Sequence, residues 1–135
     1  MSFLKNKYTT LKNLHLAISV IIIVPVALVY GVYPNTMLSR LFGFTVQNIN
    51  LANTFRAIMC LYLSMCVLWA VGIANPKLWV NATTANIIFM AGLALGRLIS
   101  IVIDGIPSMY ILTGLIVEAV LAVWGLRNLR KYGLQ

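Results

Sequence analysis

The sequence predicts an all-α membrane protein, a four-transmembrane-helix bundle with its N-terminus and C-terminus cytoplasmic. Composition, segment length and the placement of charge predict it. Apolar residues make up 61% of the 135-residue chain and charged residues only 9%. Soluble domains carry about 25% charged residues. A globule of this size cannot hide so many uncharged stretches, so lipid must cover them. Each stretch is close to the ~20 residues that cross a hydrocarbon core of about 30 Å. The runs are continuously apolar and do not alternate with period two, which favours helices over a barrel.

The first predicted helix covers residues 14–33, with Pro25 placed to kink it. Lys5, Lys7 and Lys12 precede it, as in a signal peptide. The run is longer than a signal core, and no small-x-small cleavage pattern follows Tyr33 and Pro34, so it reads as a retained anchor. The connection 34–54 is the only long one. Met37, Leu38, Leu41, Phe42 and Phe44 make it too apolar for a free loop, so it is expected to lie in the interface or fold over the bundle mouth.

The second helix is predicted over 55–73 and ends at Asn75-Pro76. The third covers 80–103. Gly105-Ile106-Pro107-Ser108 then forms a tight turn whose serine can cap the fourth helix, 109–129. The whole chain, 1–135, reads as one domain without an internal repeat, which disfavours an inverted-repeat transporter within one chain.

The net charge of +8 does not imply nucleic acid, because the basic residues sit at segment ends rather than on one folded face. Lys5, Lys7, Lys12, Lys77, Arg127, Arg130 and Lys131 share one side of a four-pass topology, against Arg40 and at most Arg56 on the other. The basic side is the cytoplasmic one. Tyr30, Tyr33 and Tyr110 fall toward the outer boundary and Trp69, Trp79 and Trp124 toward the inner one, as interfacial aromatics do.

Four charged residues fall within or at the mouth of the apolar segments: Arg56, Arg97, Asp104 and Glu118. Together they are neutral. A charge at the centre of a membrane helix costs roughly 2.5–3.5 kcal/mol on insertion scales, so such residues face inward and pair. Counting from the external turn, Arg97 lies about 10 Å and Glu118 about 15 Å along their helices. Side chains lean toward their own helix N-terminus, which brings the two together. Arg97, Ser100 and Asp104 share a face, and Arg56 opens the second helix at similar height. These residues are expected to line a polar chamber in the outer half, with Asn53, Thr54 and Ser64 nearby. Its neutrality suits a small polar or zwitterionic head group, while the same pairs also serve as a clasp that fixes which helices pack together.

Gly92, Gly96 and Ser100, and Gly114, Glu118, Ala122 and Gly125, form small-residue faces suited to helix packing. Cys60 and Cys66 are six residues apart, not in a redox or metal pair, and read as small packing residues. His15 lacks carboxylate or cysteine partners for a metal and reads as an interfacial side chain. No nucleophile with a base, no phosphate loop and no paired carboxylates occur, which argues against a hydrolase or kinase. No cofactor is expected.

The chain resembles an uncharacterised domain-of-unknown-function family of small four-helix bacterial membrane proteins, and more distantly the DoxX-like group. The residues that carry the resemblance are Asn53-Thr54-Phe55-Arg56-Ala57, Gly92-Leu93-Ala94-Leu95-Gly96-Arg97-Leu98-Ile99-Ser100, Asp104-Gly105-Ile106-Pro107-Ser108 and Glu118. Cys60 stands where the pattern often has a smaller residue such as glycine. The resemblance implies a four-helix bundle in a bacterial inner membrane with an outward-facing polar motif, and no activity.

The leading expectation is a non-enzymatic membrane protein that binds or passes a small amphiphile or lipid head group through Arg56, Arg97, Ser100, Asp104 and Glu118. The alternative is a structural or accessory subunit that packs on a membrane-protein partner or on copies of itself. A membrane-embedded isomerase or redox helper using Glu118 as acid or base has no visible second group.

Overall fold

A computed structural model describes the backbone of residues 2–133 and the side chains of residues 11–133. Lys5 and Lys7 of the basic lead therefore lie outside the described side chains. The described residues form five helices and no strand: α1 (Ser2–Gly31), α2 (Pro34–Phe42), α3 (Ile49–Ala74), α4 (Trp79–Asp104) and α5 (Met109–Tyr132). Four of them, all but α2, are long and apolar enough to cross a membrane.

The predicted connection 34–54 is largely helical. Pro34, with its fixed φ, occupies the first turn of α2, where a missing N–H costs nothing, and Gly43 closes the helix at φ 75°. After a short link, Asn48 caps α3 by accepting from the Asn50 backbone N–H at 2.7 Å. The cap starts α3 at Ile49 rather than at residue 55. At its other end Asn75 stops α3, and the Asn75 side chain accepts from the Lys77 N–H at 3.1 Å to start a single 3-10 turn into α4.

Helix pairs α1/α3 and α4/α5 pack most extensively, α3/α4 less so, and α1 meets α5 along a sparse seam. Glycines set the close approaches. A Cβ on Gly31 would lie 2.5 Å from the Cβ of Met59, and one on Gly72 would run into Ala82, so α1/α3 and α3/α4 are drawn together where no side chain intervenes. By contrast, a Cβ on Gly92 or Gly96 meets nothing within 4 Å. That part of the predicted packing face is open.

Tyr30, Phe42, Phe44 and Phe55 form a closed set of four nearly parallel rings with successive centroids 6.0–6.4 Å apart. The set ties α2 and the link after it to α1 and α3. Aromatic contacts continue from Tyr30 through Tyr62 and Phe89 to Trp69. Trp69 and Trp79 are 0% and 2% exposed, so they are core residues, not members of an interfacial belt. Cys66 is buried, whereas Cys60 is exposed and does not pack inside.

Gly105 has φ 97° and ψ −175°, a region that essentially only glycine enters. Ser108 caps α5 through its carbonyl, which accepts from Ile111 N–H at 3.0 Å, and makes no side-chain cap. The turn thus depends on Gly105 more than on Ser108. Gly105→Ala is expected to lower stability by about 1–3 kcal/mol, and Ser108→Ala to change it little, both read from thermal unfolding in mild detergent.

Candidate functional site

Three helices turn one face each toward a common axis, at helical spacings of three and four. On α1 the buried face reads His15, Ser19, Ile23 and Ala27; on α4, Thr83, Asn86, Met90 and Ala94; on α5, Asn128, Gly125, Leu121 and Glu118. Read along the axis, these faces make a polar layer near the chain termini, an apolar layer of Ile23, Met90 and Leu121, and an ionic layer toward α2.

The ionic layer is the Arg97 and Glu118 pair. Arg97 Nε donates to Glu118 Oε2 at 2.8 Å and Arg97 Nη2 to Oε1 at 2.9 Å, a bidentate fork. Glu118 is 5% exposed. The guanidinium packs against Gly114, one turn along α5, where a Cβ would sit in ordinary contact with it, 3.4 Å from Arg97 Nη2. The fork uses two of the five guanidinium donors and leaves lone pairs on both carboxylate oxygens. The layer can therefore still donate to and accept from a third group.

A cavity of about 280 Å³ opens beside the pair in the sparse α1/α5 seam. Its walls are Ile22, Ile23, Val26 and Val29 from α1, Met90 from α4, and Ile111, Val117 and Leu121 from α5. Leu41 and Phe42 of α2 roof it, and Tyr30, Tyr110 and Thr113 add hydroxyls. Arg97 and Tyr30 also line a second groove, whose floor is Gly92, Gly96 and Ser100. An apolar chamber with a few convergent polar groups is the form of a small-molecule site.

The other sequence-predicted residues stand apart from the pair. Ser100 Oγ donates to Asp104 Oδ2 at 2.8 Å on the exposed side of α4. Asp104 is the last residue of α4, two turns past Arg97, where no neighbouring helix covers it. Arg56 is exposed and lines a different pocket with Tyr33, Asn35, Val46 and Ala52. The early start of α3 places Arg56 two turns inside that helix rather than at its mouth. The single neutral chamber of four charges is thus a bidentate pair with two separate outliers.

The polar layer near the termini went unread in the sequence. His15 is 0% exposed, not interfacial. Its Nδ1 lies 2.9 Å from Asn128 Nδ2 and 3.0 Å from the Lys12 carbonyl, so that edge of the ring is engaged whichever nitrogen holds the proton. Ser19 Oγ donates to the His15 carbonyl at 2.8 Å, and the Lys12 ammonium sits 5.0 Å over the Trp79 ring, a cation–π contact. Gly125 lets α5 come close to α4 beside the layer: a Cβ there would stand 2.8 Å from Ile87 Cγ1, with His15 Cδ2 and Asn86 Oδ1 at ordinary contact distance. No cluster of three or more metal-binding side chains occurs among the described residues.

The fold and site together define an all-helical protein with four helices of membrane-spanning length and a bidentate ion pair beside an apolar cavity. Residues 11–127 match a protein family described as a domain of unknown function, DUF4345, and the chain belongs to that family. No curated protein and no solved structure matches it.

Proposed function

We propose that this chain is a non-enzymatic, multi-pass protein of the bacterial inner membrane that binds or passes a small amphiphile or lipid head group. The observation that carries the reading is the cavity of about 280 Å³ whose apolar wall ends on the Arg97 and Glu118 fork. The chain of the amphiphile lies against Ile22, Val26 and Val117. Its head, neutral or zwitterionic, meets the spare donors and lone pairs of the neutral pair. Both termini are cytoplasmic, a reading supported by the Lys and Arg residues at the ends of α1 and α5 and at Lys77. The cavity then faces the periplasmic half, under α2. A distant kinship with the DoxX-like group belongs to the same proposal.

Photolabelling tests it. A neutral single-chain lipid carrying a diazirine in its tail is expected to cross-link to residues of the α1/α5 seam in the reconstituted chain, with labelling suppressed by unlabelled lipid extract. Cross-links spread evenly over all exposed helix faces, insensitive to competitor, would count against a site.

The alternative, an accessory subunit, draws on one observation: Gly92 and Gly96 lie exposed with no side chain over them. A partner helix seated there would co-purify in fixed stoichiometry.

A further inference from the structure

The polar layer near the termini is sealed and incompletely bonded. Thr83 and Asn86 are 0% exposed, as is His15, and Trp79 is 2% exposed. Among the described residues, His15 Nε2, Thr83 Oγ1, Asn86 Nδ2 and Oδ1, and Trp79 Nε1 have no hydrogen-bond partner. Buried polar atoms are satisfied in folded proteins by protein groups or by ordered water, and a group left without either weakens the fold. Five such atoms on the facing sides of α1 and α4, within two turns of α4, therefore identify a site.

The chemistry of the set selects its occupant. Trp79 Nε1 and Asn86 Nδ2 only donate, Asn86 Oδ1 only accepts, and the Thr83 hydroxyl does both. A bare cation would face the two donors, and an anion would face the amide oxygen. A small neutral molecule that donates and accepts at once meets every member. Water does so with the two to four partners that a buried molecule needs.

We propose that this layer is a second binding site, occupied by water that bridges Trp79, Thr83, Asn86 and His15. Ile23, Met90 and Leu121, each at most 3% exposed, separate it from the ion-pair cavity. Met90 lies about 6 Å from Asn86 and about 10 Å from Arg97 along α4. The bundle thus holds two polar compartments on one axis, one toward each end, divided by a single apolar layer. The water-filled layer stands whether or not the cavity beyond the apolar layer takes an amphiphile.

The test is water–protein NMR on the full chain in nanodiscs of deuterated lipid with ¹⁵N-labelled tryptophan. Each of the three indole N–H signals is assigned by a Trp→Phe variant. The Trp79 indole proton is expected to show a cross-peak to long-lived water. Thr83→Val and Asn86→Leu should each weaken it several-fold while the remaining spectrum stays folded. Thr83→Val keeps the side-chain shape and decides the matter if Asn86→Leu does not fold. Absence of the cross-peak in the unmodified chain, or its persistence in folded Thr83→Val, would overturn the proposal.

Discussion

Glu118→Ala is expected to destabilise the bundle by about 3–5 kcal/mol, because it leaves the Arg97 guanidinium partly buried between α4 and α5 with its fork unmet. The loss reports the broken pair, not the net worth of the pair. Replacing both partners with apolar side chains of similar length, Arg97→Met with Glu118→Met, removes two desolvated charges at once. Such replacements are often neutral or stabilising by about 1–4 kcal/mol. The double variant is therefore expected to recover most of the stability lost in Glu118→Ala, measured by reversible unfolding in mixed micelles. The same double variant is expected to lose photolabelling, since the head group loses the charged fork that holds it. A clasp alone predicts recovered stability and unchanged labelling, so the two roles of the pair separate in one protein.

Val117→Phe is expected to abolish ligand retention while leaving the fold intact. Val117 is half-buried on the cavity wall one residue before Glu118, and a phenyl ring there grows into open space rather than into a neighbour. Filling open apolar space adds dispersion contacts and avoids the overpacking that costs about 1–3 kcal/mol in a filled core, so stability is expected to change by less than about 1.5 kcal/mol. Labelling in the α1/α5 seam should fall at least tenfold. Equal labelling with and without the ring would place the ligand outside the cavity.

Hydropathy and length made the four long helices legible in the sequence, because a membrane-crossing helix must be apolar on every side. α2 was not legible as a helix. Nine residues, Pro34 to Phe42, with Asn35, Ser39 and Arg40 among Leu38, Leu41 and Phe42, look like an apolar loop until Pro34 and Gly43 are read as its start and stop. The link between Arg97 and Glu118 followed from depth and side-chain lean, which need only helix geometry. Arg56 was misplaced by a boundary error: Asn48 as a cap moves the start of α3 and, with it, the depth of Arg56 along the helix. The polar layer near the termini was hidden differently. Ser19, Thr83, Asn86 and Asn128 each pass as an isolated polar residue in an apolar helix. The signal was their alignment, His15 with Ser19, Thr83 with Asn86, and Asn128 with Gly125, at spacings of three and four on three different helices. Sequence spacing shows that residues share a face of one helix; it does not show that three such faces converge.

The central claim is that the cavity beside Arg97 and Glu118 holds an amphiphile. Native mass spectrometry tests it most directly, on unmodified chain and Val117→Phe released in parallel from the membrane in a mild detergent. The account predicts a reproducible small-molecule adduct on the unmodified chain that is absent from Val117→Phe. A bare unmodified chain, or the same adduct at equal occupancy on both proteins, would contradict it.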